Sequence, residues 1–339
     1  MTVFFNTNEQ NLNEILNKAA DVINNGGLVA FPTETVYGLG ADGLNPDAVK
    51  KIYTAKGRPS DNPLILHISH IKELDRLVKN INNTAKVLMK NFWPGPMTLV
   101  FKKSSIVPDI ISGGLDTVAI RLPSNEIARQ LIAYSKTPIA APSANTSGRP
   151  SPTKASHVFE DLNGKINMIL DGGNCEIGVE STVIDVTEDT PVILRPGKIS
   201  YENIKKLFPD VVYDKHLTET TPVSQPKSPG MKYKHYAPKG ELYILDGDEE
   251  KFSEYIRNSC NSHTAVITFT DFPVESENVY YLGKFDTPEE GASKIFDILR
   301  DCDTNGYDKI FAHMPNKNGV GFALYNRMLK ASGGKIIEL

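Results

Sequence analysis

Cysteine is scarce in this chain: Cys175, Cys260 and Cys302 are the three among 339 residues, and no CxxC spacing links them. That excludes a disulfide scaffold and a cysteine-ligated zinc site, and it predicts a reducing, cytoplasmic setting. Long apolar runs are also missing, and none approaches the roughly 20 residues a membrane helix needs. The N-terminal MTVFFNTNEQ has neither a basic stretch nor a long apolar core, which argues against a secretion signal. Three familiar catalytic signatures are absent: the GxxxxGK[ST] phosphate loop, HExxH and the GxSxG elbow. What remains is an ordinary globular composition, 40% hydrophobic and 23% charged, with length enough for two domains.

Charge is placed unevenly. Residues 1–210 hold 22 basic and 22 acidic side chains, whereas 239–339 hold 11 and 17. The stretch between carries four lysines against Asp214 and Glu219. An acidic C-terminal third repels a phosphate backbone, so any nucleic-acid contact falls on the N-terminal part or the linker.

Apolar spacing over Leu12, Ile15, Leu16, Ala19 and Ile23 predicts a helix that stops at Asn25-Gly26-Gly27. Short strand-like runs follow at 28–31, 64–68, 97–101, 117–122, 138–142, 168–170, 181–186 and 191–195, with helical patterns at 46–55, 71–79, 82–91, 124–135 and 200–207. This density predicts an α/β domain with a mixed sheet. Periodicity fades from about 208 to 240, where Pro, Ser, Thr and Lys gather, and this reads as a linker. Beyond it, runs at 241–245, 264–269, 279–282 and 309–313 with a helix through Ala292, Ile295, Phe296, Leu299 and Cys302 predict a small Rossmann-like unit. The glycines of NGVGFAL (318–324) sit before the last helix and read as packing glycines.

Several loops carry chemistry. PTETVYGLG (32–40) leaves a strand with Thr33, Glu34, Thr35 and Tyr37 on a loop, at an edge where α/β sheets bind ligands. In KGRPSDNP (56–63), Lys56 and Arg58 flank a glycine as a phosphate clamp does, one a point charge and the other a bidentate fork, and Asn62 adds a donor. His67 lies within an apolar strand and reads equally as core or site. Thr117 and Arg121 share one strand face; a buried arginine there demands an anion, which a structural Asp or Glu or a substrate carboxylate supplies. APSANTSGRPS (141–151) ends another strand in hydroxyls and amides, led by Ser143 and Asn145, and Arg195 closes a later one. SPGMKYKHYAP (228–238) is too aromatic and basic for a plain spacer. Cations facing uncharged polar groups suit a polyanion with a polar head, such as a nucleoside triphosphate.

With those motifs in order, the chain resembles the Sua5/YrdC/YwlC family of threonylcarbamoyl-AMP synthases, which serve tRNA N6-threonylcarbamoyladenosine (t6A) formation. The family's KxR and SxN signatures stand here as Lys56-Gly57-Arg58 and Ser143-Ala144-Asn145. The resemblance implies a YrdC-like twisted mixed sheet with a concave site over 1–210, a lid-forming linker over 211–238, and a Sua5 C-terminal domain over 239–339. It implies L-threonine, bicarbonate and ATP as substrates, with Mg2+ on the triphosphate, and as downstream partners a t6A transferase complex and tRNA. Lys56, Arg58, Ser143 and Asn145 would be catalytic. Thr35, His67, Arg121 and Ser181 would hold threonine. Arg58, Asn62, Thr117, Ala141, Ser143, Asn145, Ser151, Arg195, Lys234, His235 and Tyr236 would line the nucleotide, Ala141 through its backbone. The rival expectation is a tRNA-binding module without catalysis, which the charge distribution disfavours.

Overall fold

Side chains alternate between the two faces of a strand, so each apolar run divides its residues between two layers. The computed structural model describes residues 1–7, 11–218 and 235–339 and divides the chain into two units. The first holds Met1–Ser147, Pro152–Glu176 and the described residues 180–218; the second holds Gly148–Ser151, Ile177–Val179 and the described residues from His235 to Leu339.

The first unit is built on strands β1 (Val3–Asn6), β2 (Val29–Phe31), β3 (Gly38–Asp42), β4 (Ile65–His67), β5 (Met97–Lys102), β6 (Thr117–Arg121), β7 (Ile139–Ala140), β8 (Met168–Asp171), β9 (Thr182–Asp185), β10 (Val192–Arg195) and β11 (Val212–Tyr213). They form one mixed sheet in the order β1-β8-β2-β3-β7-β4-β6-β5-β9-β10-β11. Leu66, Leu99, Ile120 and Ile184 point into the main core with Ile52, Leu88 and other helix residues. Their neighbours Ile65, Val100, Ala119 and Val183 form a separate, smaller apolar patch. Helices Leu12–Asn24 and Glu126–Ser135 cover Val29, Phe31, Ile139, Met168 and Leu170 in a third cluster. Each fully buried Leu or Ile contributes about 1.5–3 kcal/mol to holding these layers.

Among the elements that differ from the sequence expectation are three strands of the first unit. Gly38–Asp42, expected as a loop, is a strand, because glycine lets it lie against its neighbours: a Cβ on Gly40 would meet Ile139 and Phe31 at 2.8 Å. The N-terminal VFFN forms edge strand β1 beside β8. Val212–Tyr213 adds a strand parallel to β10 where periodicity had faded.

The second unit has five parallel strands, β12 (Glu241–Asp246), β13 (Thr264–Thr268), β14 (Val279–Tyr281), β15 (Lys309–His313) and β16 (Ile336–Glu338), in the order β14-β13-β15-β12-β16. Its all-parallel pattern with crossover helices is the Rossmann-like arrangement the sequence predicts. Helix Glu249–Ser259 packs Phe252 and Ile256 on Leu245, Val266 and Phe311. Helices Pro288–Thr304 and Val320–Ala331 pack on each other, and the second starts inside NGVGFAL. Among the described residues no helix is long and apolar enough to cross a membrane.

Candidate active site

One transverse row of paired residues crosses the first unit's sheet. His67 on β4 pairs with Arg121 on β6, Arg121 with Thr98 on β5, Thr98 with Val183 on β9, and Val183 with Arg195 on β10. Directly paired residues face the same side of a sheet, so His67, Arg121, Thr98 and Arg195 share one face. Thr117 lies on that face too, four residues before Arg121 on the same strand.

Arg121 ends its strand 4% exposed and meets Glu34, 7% exposed, with Nη2 2.7 Å from Oε1. The anion it needs is therefore supplied by the PTETVYGLG loop. Nη1 donates to Thr35 Oγ1 at 2.9 Å, and Nε donates to Gly95 O at 3.3 Å. Glu34 Oε1 accepts from Ser124 N and Oε2 from Asn125 N, just ahead of the helix Glu126–Ser135. Burial pushes the Glu34 carboxyl up, but the Arg121 charge and these hydrogen bonds outweigh it and hold the group below its ordinary value. The loop itself is pinned by Thr33, whose hydroxyl donates to Val36 O at 2.7 Å and lies 2.8 Å from Thr35 Oγ1.

His67 is buried, edge-on to Phe31 at 6.4 Å, and its Nδ1 has no hydrogen-bond partner among the described residues. Burial, followed by the nearby Arg121 charge, pushes its pKa down to about 3. The imidazole is neutral at physiological pH. Ser181 Oγ lies 2.7 Å from Thr98 Oγ1 and accepts from Arg195 Nη2 at 3.1 Å, while Arg195 Nε donates to Ser181 O at 3.0 Å.

The two signature motifs meet directly. Lys56 is the last residue of helix Pro46–Lys56, and Gly57 in the left-handed region (φ 63°) ends that helix and turns the chain into Arg58. Lys56 Nζ donates to Ser143 O and Asn145 O, both at 2.5 Å. Ser143 Oγ donates to Asn145 Oδ1, and Ser147 N donates to Lys56 O. Arg58 Nη2 donates to Pro63 O at 3.2 Å and reaches Asn62 O at 3.5 Å. Lysine and SxN loop thus form one framework, and the guanidinium is held over the turn that follows. Asn62 is buried with Oδ1 unpartnered among the described residues, and the Ala141 N–H donates to Ile65 O.

Of the sequence-predicted residues, Thr35, His67, Arg121 and Ser181 come together on this face with Arg195, whereas Thr117 lies at the other end of β6. Lys56, Arg58, Asn62, Ser143 and Asn145 gather around the clamp. Ser151, His235 and Tyr236 belong to the second unit, where the Tyr236 ring is buried, packing 5.0 Å from Phe296 and 5.8 Å from the Arg327 guanidinium. Lys234 lies outside the described residues. Two buried side chains that hold the site had no expected role: Glu34, named only as a polar residue of its loop, and Thr98, which as a threonine in a strand carries no signal beyond strand preference. Cys175 is buried, and burial pushes its thiol up to about 12, so it is no nucleophile.

The chain also matches known proteins. The Sua5_yciO_yrdC family model, described as telomere recombination, matches residues 21–197. A second model, the threonylcarbamoyl-AMP synthase C-terminal domain, matches 199–333. The chain is similar to threonylcarbamoyl-AMP synthase of Pyrococcus abyssi, 48% identical with all of both chains covered. It is also similar to that of Bacillus subtilis, 47% identical over 95% of this chain and 94% of the relative. The crystal structure of P. abyssi Sua5 complexed with L-threonine superposes with a TM-score of 0.93 at 47% identity, over 100% of this chain and 99% of that one. Escherichia coli YciO matches with a TM-score of 0.52 at 26% identity, over 58% of this chain and 95% of that one.

Proposed function

The chain belongs to the Sua5/YciO/YrdC family in its two-domain, threonylcarbamoyl-AMP synthase form, and from that premise we propose the chemistry its residues perform. L-threonine, bicarbonate and ATP give L-threonylcarbamoyladenylate and pyrophosphate. The threonine amine captures bicarbonate as a carbamate with loss of water; a carbamate oxygen then attacks the α-phosphorus and pyrophosphate leaves. No protein nucleophile is required, so the site works by positioning and by charge.

The row on the sheet face carries this reading. Arg121, already fixed by Glu34 and Thr35, offers its remaining N–H groups to the threonine carboxylate, with neutral His67 beside it and Ser181 across Thr98. Arg195, the Lys56–Ser143–Asn145 framework, Arg58, Asn62, Thr117 and the Ala141 backbone take the nucleotide side. Magnesium comes bound to the triphosphate. Among the described residues no group of three His, Cys, Asp or Glu side chains could hold a metal ion. The adenylate would pass to a t6A transferase complex acting on tRNA. Labelled bicarbonate tests the proposal: with L-threonine and ATP present, the label should appear in threonylcarbamoyl-adenylate, and its absence from any adenylate contradicts the assignment.

A further inference from the structure

Helix Ala155–Leu162 turns Ala155, Val158 and Leu162 into the main core. Asp161, three residues after Val158, is buried with them at 4% exposure. A carboxylate on the core side of a helix is costly unless hydrogen bonds replace its water, and no step of the proposed reaction uses this one. One of its partners is a backbone group of the SxN loop: Asp161 Oδ2 accepts from Thr146 N at 3.0 Å. Residue 161 grips Thr146 a second time, its backbone carbonyl accepting from the Thr146 hydroxyl at 3.3 Å.

The Thr146 N–H and the Asn145 C=O belong to one peptide unit, and in a trans peptide the two groups point in opposite directions. Here the carbonyl end receives the Lys56 ammonium at 2.5 Å and the N–H end meets the Asp161 carboxylate. The unit therefore lies between a cation and an anion, both buried. Hydrogen bonds to charged groups are the strong ones. Turning this peptide over would set its oxygen against the carboxylate and its N–H against the ammonium, so one orientation is admitted. The backbone on either side is held as well, Ala144 N on Tyr37 O and Ser147 N on Lys56 O. That frame leaves the Asn145 side chain where Oδ1 accepts from Ser143 Oγ and Nδ2 donates to Thr146 O.

We propose that Asp161 is a positioning residue for ATP: by holding the Asn145–Thr146 peptide against Lys56, it sets the Ser143 and Asn145 side chains for the nucleotide. The proposal rests on the reading of the SxN loop as part of the nucleotide side. The threonine side is anchored by other groups, Arg121 by Glu34 and Thr35, and Ser181 by Thr98 and Arg195. Loss of Asp161 is therefore felt by one substrate and not by the other.

Pyrophosphate release, with KM measured for ATP and for L-threonine in turn, tests this. Asp161→Leu removes the acceptor and should raise the ATP KM about tenfold while the threonine KM stays within about twofold. Asp161→Asn still offers Thr146 N an oxygen and should return the ATP KM to within about threefold of wild type. In an Asn145→Ala background Asp161→Leu should add less than about twofold, because its effect passes through the group already removed. Overturning results are ATP and threonine KM values that rise together in Asp161→Leu, an Asp161→Asn variant as weak as Asp161→Leu, or Asp161→Leu and Asn145→Ala effects that multiply. If Asn145→Ala alone leaves the ATP KM unchanged, the nucleotide-side reading of the loop fails and takes this proposal with it. Should Asp161→Leu not fold, amide hydrogen exchange on the wild-type protein still decides. The Thr146 N–H should be protected at least about a hundredfold over an open loop amide, and exchange at the open-loop rate contradicts the positioning role.

Discussion

Removing Glu34 probes the site and the fold together. Its carboxylate lies 2.7 Å from Arg121 Nη2 with both side chains nearly excluded from solvent, and it also accepts from the Ser124 and Asn125 N–H groups. Glu34→Ala leaves a buried guanidinium without its counter-ion, a loss of about 3–5 kcal/mol of stability. Glu34→Gln keeps the accepting oxygen and the volume, so its cost isolates the charge. The sign with pH follows from the depressed carboxyl. The pair's contribution is fully present above the unfolded value of about 4.3 and is lost as pH falls through the lower folded value. Denaturant titrations from pH 7 down to 3 should therefore show wild type and Glu34→Gln converging on acidification, with the gap largest at neutral pH. A Glu34→Ala protein within about 1 kcal/mol of wild type at pH 7 would refute the claim that this buried pair anchors the loop.

The neutral state of His67 predicts an imidazole whose NMR shifts stay flat between pH 5 and 8, because its pKa is pushed down to about 3; a midpoint near 6.5 would mean the ring is solvated. As its folded pKa lies below the unfolded value, His67 contributes stability above about pH 6.5 that drains away toward acid pH, and His67→Gln should flatten that slope in denaturant titrations. Arg58→Ala should lower kcat/KM for ATP by the equivalent of about 1.5–3 kcal/mol, the worth of a charged hydrogen bond; near-normal pyrophosphate release would remove Arg58 from the mechanism. Deleting 228–238 should raise the ATP KM and increase abortive hydrolysis of the adenylate, as expected if the segment excludes water, and unchanged kinetics would end the lid hypothesis.

Much of the architecture was legible because burial writes itself into strands. Leu66, Leu99 and Ile120 alternate with His67, Thr98 and Arg121, and that alternation marks both a core face and a polar face before any coordinates. Strand β3 was hidden because its two glycines imitate turn residues, and their purpose, closeness to Phe31 and Ile139, exists only after folding. The motif residues were visible as types but not as partners. Arg121 announced a need for an anion, yet nothing local distinguishes Glu34, 87 positions away, from a substrate carboxylate. Lys56 read as a phosphate ligand, and the structure gives its ammonium two backbone carbonyls of the SxN loop. Proximity across long loops is what a single sequence does not encode. The placement of Thr98 against Ser181 is of the same kind.

The central claim is that this site joins threonine, bicarbonate and the α-phosphate of ATP in one reaction. Pyrophosphate release measured while each substrate is omitted in turn tests it most directly. The account predicts release only when L-threonine and bicarbonate are both present with Mg2+ and ATP, and loss of that release in Arg121→Ala. Release that continues without either co-substrate, or tRNA binding with steep salt dependence and no ATP turnover, would contradict it.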